Sequence, residues 1–367
     1  MSINVFYIGP FNFPNGGAAA RRILGNIYAL KDNGVNVHVI DGKSTIGDNY
    51  QFGVNVTSVG ERPKKEDNIF KKIYKYFTIG SGSIKYIDNL KLKPDAIILY
   101  SGYSPYLLRL LPYCKKHKIK LIFDCVEWYA PASMLGYLKP YYWNIEYAMR
   151  FLIPRCDAVI CISTYLESYY FKKTIVSRIP PTLSVADMPS KSESFVYDIK
   201  KTIKLVYTGN PGHKDKLKEI VDIVKVLPSF ELHIAGVHGE NSSNIFFYGQ
   251  LDYHDSIALV SNSHFSILLR PDNIISKAGF STKVVESMSC GTPVITNNTG
   301  DLGSIINDSV NGFIFEGVKS EDLHAKLLKI LQSDNFNYNN MSSKSKTTAL
   351  RVFDYALYKD QILRLVN

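Results

Sequence analysis

Short apolar runs recur along the first half of the chain, each bounded by glycine, proline or polar residues and each followed by a stretch with helical spacing. Residues 3–9 (INVFYIG) read as a buried strand, followed by a loop with Pro10, Pro14, Gly16 and Gly17, a helical stretch ending near Gly34, and a second strand, VNVHVID. The pattern returns with DAIILY (95–100), a helix over about 104–117, KLIFDC (120–125) and DAVICIS (157–163), the last followed by TYLESYYF. Apolar strands without alternation, separated by helices, predict a parallel sheet covered on both faces.

Around 179–199 the rhythm breaks into IPPTLSVADMPSKSESFVYD, rich in proline, serine and charge, and then restarts. KLVYTG (204–209), FELHIAG, NIFFYG, HFSILLR (264–270), PVITN (293–297) and GFIF (312–315) read as strands, with helices at LKEIVDIVKVL, 253–261 and TKVVESMSCG. The polar stretch NYNNMSSKSK (337–346) reads as a break before a final helix over about 347–365, and the aromatic run 137–155 as mostly core helix or the lining of an acceptor groove. A length of 367 residues suits two cores. The expected division is a domain over 1–180, a linker over 181–199 and a second domain over 200–346, with the C-terminal helix 347–367 packing back on the first.

Composition excludes disorder, since 46% of residues are hydrophobic and only 21% charged. Five scattered cysteines without a CxxC pair suit reduced thiols, and neither a signal-peptide pattern nor a membrane-length apolar run is found, so the expected location is cytoplasmic. The net charge of +10 is uneven: residues 1–180 hold 24 Lys and Arg against 13 Asp and Glu, the remainder 19 against 20. That asymmetry points to an anionic partner of the first half, a phospholipid surface or a nucleic acid, and no nucleic-acid-binding module is recognisable. In KKEDNIFKKIYKYF (64–77), a helix would align Ile69, Phe70, Ile73, Tyr74 and Phe77 with Lys65, Lys71, Lys72 and Lys75 on the flanks. This suits an anionic bilayer at the inner face of the cell membrane, or else a helix packed on the sheet.

The densest chemical signal is AGFSTKVVESMSCGTPVITN (278–297), a loop, a helix and a strand. Gly279, Phe280, Ser281 and Thr282 stand at the helix start, where free N–H groups favour an anion, and Lys283 and Glu286 are spaced to share a face. A carboxylate at Glu286 can accept both hydroxyls of a ribose. Were a diphosphate to depart at this helix start, its charge would grow in the transition state, and Lys214, Arg270 and Lys283 are the cations available to meet it. No Asp-x-Asp occurs, so neither metal nor other cofactor is expected. Gly16 and Gly17 would let backbone approach a ligand without a Cβ in the way.

The string KVVESMSCGTPVI resembles the donor-site motif of GT-B glycosyltransferases, specifically the retaining glycosyltransferase family 4. YTGNPGHKDKL (207–217), NGFIF, Gly16-Gly17, FDCVEWY (123–129) and DAVICIST (157–164) are similar to further landmarks of that family. The resemblance implies an α/β GT-B fold, two Rossmann-like doubly wound domains facing across a cleft, with donor residues Gly16, Gly17, Gly209, Lys214, Arg270, Gly279, Phe280, Ser281, Thr282, Lys283 and Glu286. Catalytic roles would fall to Lys214, Arg270 and Glu127. Family members commonly carry two glutamates eight positions apart; here the first position is Ala278, leaving Glu286 as the ribose binder. Asn210 and Val126 stand where relatives often have arginine and histidine. The implied activity is a retaining, metal-independent hexosyl transfer from a UDP- or GDP-sugar to a glycan acceptor, polyprenyl-diphosphate-linked, in O-antigen, capsule or similar surface-polysaccharide biosynthesis. A sugar-nucleotide epimerase and a non-catalytic nucleotide-sugar-binding subunit remain as alternatives on the same architecture.

Overall fold

The computed structural model describes residues 3–100, 104–131, 133–191, 202–212, 214–333 and 337–367; positions 192–199 of the expected linker lie outside them. The chain divides into two compact units, Met1–Leu183 with Tyr355–Asn367, and Ser184–Asp354.

In the first unit, β1 (Asn4–Gly9), β2 (Asn36–Asp41), β3 (Ile46–Gln51), β4 (Val54–Val59), β5 (Ala96–Tyr100), β6 (Lys120–Cys125), β7 (Ala158–Cys161) and β8 (Ile175–Arg178) form one sheet in the order β3-β4-β2-β1-β5-β6-β7-β8. All pairs are parallel except β3 with β4. That hairpin has no apolar run to announce it, because every residue of IGDNYQ except the last is exposed. The helix Ala18–Lys31 lays Ile23, Ile27 and Leu30 against Val5, Tyr7 and Val39 of the sheet, and Ile362, Leu365 and Val366 of the helix Lys359–Val366 join the same core.

A buried polar cluster pins this core. Arg22 donates from Nε and Nη2 to Asp124 at 2.9 and 2.6 Å, and from Nη1 to the carbonyls of Ile179 and Pro180 at 3.0 and 3.1 Å. The Tyr7 hydroxyl donates to Asp124 and accepts from Asn26.

The second unit has β9 (Ile203–Thr208), β10 (Phe230–Ala235), β11 (Ile245–Phe247), β12 (Phe265–Leu268), β13 (Val294–Asn297) and β14 (Gly312–Phe315). They form a wholly parallel sheet, β11-β10-β9-β12-β13-β14. Its helix Leu217–Lys225 buries Leu217, Ile220, Ile223 and Val224 at helical spacing. Both units are therefore doubly wound, and in such sheets ligands bind beyond the strand C-termini where the order reverses. That point lies between β1 and β5 in the first unit and between β9 and β12 in the second.

Several expectations are corrected. The stretch 337–346 is mostly helical: Tyr338–Val352 is one helix, started by the Asn337 side chain accepting from Asn340 N at 3.0 Å, with Tyr338, Met341, Ser345 and Ala349 buried along one side. The helical period was hidden because two of its inward positions are small. This helix stays with the second unit, and only Tyr355–Asn367 belongs to the first, so the final element is shorter than 347–367. The run 137–155 is not mostly core: Tyr137, Tyr141, Trp143, Tyr147 and Phe151 are exposed, whereas Ala148, Met149, Leu152 and Ile153 are buried. The helix Ile69–Thr78 buries none of its residues, so its apolar side is not packed on the sheet.

Candidate active site

Beyond β9 the chain turns at Gly209, with φ of +88°, in the left-handed region that favours glycine. Close approach demands glycine next door too, since a Cβ on Gly236 would lie 2.6 Å from the Gly209 Cα. Beyond β12, Arg270 is fixed through its backbone: its N–H donates to Asn297 Oδ1 and its carbonyl accepts from Asn297 Nδ2, both at 2.9 Å. Gly209 and Arg270 thus flank the reversal point of the sheet.

Two of the three cations expected to meet a diphosphate, Arg270 and Lys283, converge here on a carboxylate that sequence reasoning did not single out. Asp215 Oδ2 accepts from Lys283 Nζ at 2.8 Å and from the Tyr207 hydroxyl at 2.6 Å, while Oδ1 lies 3.5 Å from Arg270 Nε. Asp215 and Arg270 side chains are only 3% and 4% exposed, whereas Lys283 keeps 19%, so the lysine is the partner that reaches solvent. Burial pulls the Arg270 pKa below its ordinary value, with Asp215 offsetting only part of that. Burial, reinforced by Asp215, pushes the Tyr207 phenol up, so it remains a hydrogen-bond donor at neutral pH. Arg270 Nε is buried and finds no hydrogen-bond partner among the described residues; the Asp215 contact is an ion pair without hydrogen-bond geometry. The cluster holds two positive charges to one negative and has unspent donor capacity.

Lys283 reaches Asp215 from the helix Thr282–Ser289. Ser281 is the N-cap and makes no side-chain cap; its carbonyl accepts from Val284 N at 3.2 Å, so the N–H groups at the very start of the helix, those of Thr282 and Lys283, are the ones placed for a ligand. Gly279 and Phe280 form the approach to this turn, and the Phe280 ring packs edge-on to Phe353 at 5.7 Å. Glu286 lies one turn on, and at 6% exposure it is no solvated partner for Lys283. Ala278 is fully buried at the end of the preceding helix, Ile274–Ala278. Arg270 pairs with Asp215 rather than Asp272, which takes Lys277 at 3.0 Å. Lys214 is exposed beside Asp215, and Asn210 makes a local turn, its Oδ1 accepting from Gly212 N at 2.9 Å. Among the described residues no group of His, Cys, Asp and Glu is arranged to hold a metal.

In the first unit, Gly16 lines a cleft of about 380 Å³ with Pro10, Asn12, Asn15, Arg62 and Tyr100, at the β1/β5 reversal point. A Cβ on Gly16 would sit 2.0 Å from the Asn12 carbonyl oxygen, and Gly17 has φ of +63° with open space where its Cβ would be. Glu127 is exposed in the loop after β6. Its buried neighbour Trp128 donates to Glu146 at 2.6 Å, and Glu146 also accepts from Arg150 Nε at 2.6 Å.

The family described as Glycosyl transferases group 1 matches residues 191–348. An uncharacterized glycosyltransferase of Methanocaldococcus jannaschii is 29% identical over 200 residues, covering 52% of this chain and 54% of its own length, so the match spans about half of that relative. An uncharacterized 41.2 kDa protein in the cps region of Klebsiella pneumoniae is 24% identical over 277 residues, covering 68% of this chain and 71% of its own. Among solved structures, sucrose-phosphate synthase from Thermosynechococcus elongatus aligns with a TM-score of 0.76 at 16% identity, covering 99% of this chain and 98% of its own. Anabaena HepE in complex with UDP and glucose aligns with a TM-score of 0.68 at 13% identity, covering 99% and 98%. The fold is GT-B, two Rossmann-like units with parallel sheets, and the group 1 match together with the relatives supports a glycosyltransferase.

Proposed function

We propose that the chain is a retaining, metal-independent glycosyltransferase of family 4 that moves a sugar from a UDP- or GDP-sugar to a polyprenyl-diphosphate-linked glycan in surface-polysaccharide biosynthesis. The observation that carries this reading is the meeting of Arg270 and Lys283 on Asp215 at the sheet's reversal point, beside an uncapped helix start. Lys283 exchanges Asp215 for the diphosphate, Arg270 supplies fixed positive charge, and the N–H groups after Ser281 complete the anion site. Glu286 accepts the ribose hydroxyls, and Lys214 adds charge at the rim. The leaving phosphate assists attack from the face it departs, so no second carboxylate is needed at Ala278. The first unit takes the acceptor, with the Gly16–Gly17 backbone approaching the donor sugar and Glu127 facing the acceptor. The Klebsiella relative in a cps region and the HepE complex with UDP support the pathway class and the donor class respectively. The exposed 69–78 helix suits peripheral attachment to an anionic membrane, and among the described residues no helix is long and apolar enough to cross one.

The test is a thermal-shift panel of UDP, GDP, ADP and CMP with EDTA present, on the wild type and Glu286→Ala. A nucleotide at ~100 times its dissociation constant should stabilise by about 2.7 kcal/mol. One nucleotide is expected to shift the wild type and not the variant; no shift with any of them overturns the reading.

A further inference from the structure

The segment Met134–Phe151 leaves Met134, Leu138 and Trp143 exposed at 87%, 77% and 62%, a group of large apolar side chains of the kind that marks an interaction surface. It is not a loose loop. Glu146 is clamped by Trp128 and Arg150, and Ala148, Met149 and Leu152 anchor its end in the core. This segment and the 69–78 helix both pack against the helix Ser104–His117, which itself exposes Leu108. At the end of that helix, Lys115, Lys118, Lys120 and Arg155 line an open cleft of about 720 Å³ whose one carboxylate, Asp157, accepts from Leu121 N at 2.8 Å. On the 69–78 helix, Lys71 and Lys75 share Asp67, and Phe70 is 80% exposed.

We propose that the first unit docks on an anionic bilayer through two elements, the 69–78 helix and the segment Met134–Phe151, with the second inserting its apolar side chains. The occupant is a bilayer because the chemistry is that of a membrane interface: Leu and Met for the acyl boundary, Trp143 with Tyr137 and Tyr141 for the headgroup level, and lysines in excess of carboxylates around them for anionic phosphates. The docking deepens the lipid-linked-acceptor reading and rests on it for its purpose, while the contact itself stands on these surfaces.

The experiment is co-sedimentation of the full chain with phosphatidylglycerol/phosphatidylcholine vesicles at low salt, for the wild type, Leu135→Asp with Leu138→Asp, and Lys71→Glu with Lys72→Glu. Emission of the wild type minus that of Trp143→Phe isolates Trp143, since the other tryptophan, Trp128, is 2% exposed. Both double variants are expected to weaken partition by about tenfold or more, and Trp143 emission to move to the blue on vesicles. If the Leu variant partitions like the wild type and Trp143 emission stays put, the second element does not insert and the proposal fails. It also fails if the wild type ignores vesicles and self-associates in a way the Leu variant does not, which would give the surface to a second copy. The nucleotide thermal shift on the same samples is separate: vesicle binding without it breaks the transferase reading and leaves the docking standing.

Discussion

Each unit buries an arginine, an aspartate and a tyrosine of its first strand in one cluster, and the two clusters differ in what is left over. In the first, Arg22 spends its guanidinium on Asp124 and two carbonyls, and although burial pulls the arginine's pKa down, Asp124 with Tyr7 and Tyr100 raises it above the ordinary value. In the second, Arg270 meets Asp215 at 3.5 Å without a hydrogen bond, burial prevails, and its pKa is lowered. The same three residue types make a closed cluster in one unit and an open one in the other. A closed cluster can only hold the fold; an open one, with Lys283 partly in solvent, can receive an anion.

The largest effect should come from opening the closed cluster. Asp124→Ala leaves Arg22 as an uncompensated buried charge, and such losses run to about 3–5 kcal/mol. Urea unfolding of the full chain measures it. A loss within ~0.5 kcal/mol of zero, the usual range for surface changes, would mean the Arg22 cluster is not architectural and the contrast is empty.

Next comes the open cluster, struck at the member that reaches solvent. Lys283→Met leaves Asp215 still paired with Arg270 and Tyr207, so unfolding should change little. Turnover should fall about 10²–10³-fold, the loss of about 2.7–4 kcal/mol expected for one preorganised transition-state donor. Single-turnover transfer assays with the donor found in the nucleotide panel read this directly. A variant that keeps its rate but unfolds early would make the second cluster structural as well.

The succession of apolar runs made the second sheet legible and, in the first, β1, β2, β5, β6 and β7 but not β3, β4 or β8; GFIF at 312–315 coincides with β14 because a short buried strand between polar turns has few other readings. Gly209, Arg270 and Lys283 were legible as strand-end and helix-start residues. Asp215 was not, because it sits between Lys214 and Lys216 in a polar loop, where an acid reads as solvated. What makes it central is contact with Arg270 and Lys283, 55 and 68 positions away, and spacing along the chain carries no trace of that. A hint lay in Tyr207 near the end of a strand eight positions earlier, since a buried phenol needs a partner. The 137–155 run misled for a different reason. Aromatic content measures how much apolar area a segment has, and says nothing of whether protein or something else covers it.

The smallest effect tests the glycines that end the first strand of each unit. A Cβ on Gly9 would lie 2.6 Å from the Tyr100 carbonyl oxygen, so β1 ends against protein backbone, as a closed site should. A Cβ on Gly209 would meet only Lys283, at 3.5 Å from Cε, an ordinary contact. Gly209→Ala therefore carries the left-handed backbone penalty of ~1–2 kcal/mol and no clash. If a diphosphate lies over this strand end, the new methyl takes its space, and the nucleotide-induced thermal shift should shrink although Lys283 and Asp215 remain paired. A full-size shift in a variant that has lost stability would place the phosphates away from Gly209, and would leave the helix start after Ser281 as the anion site.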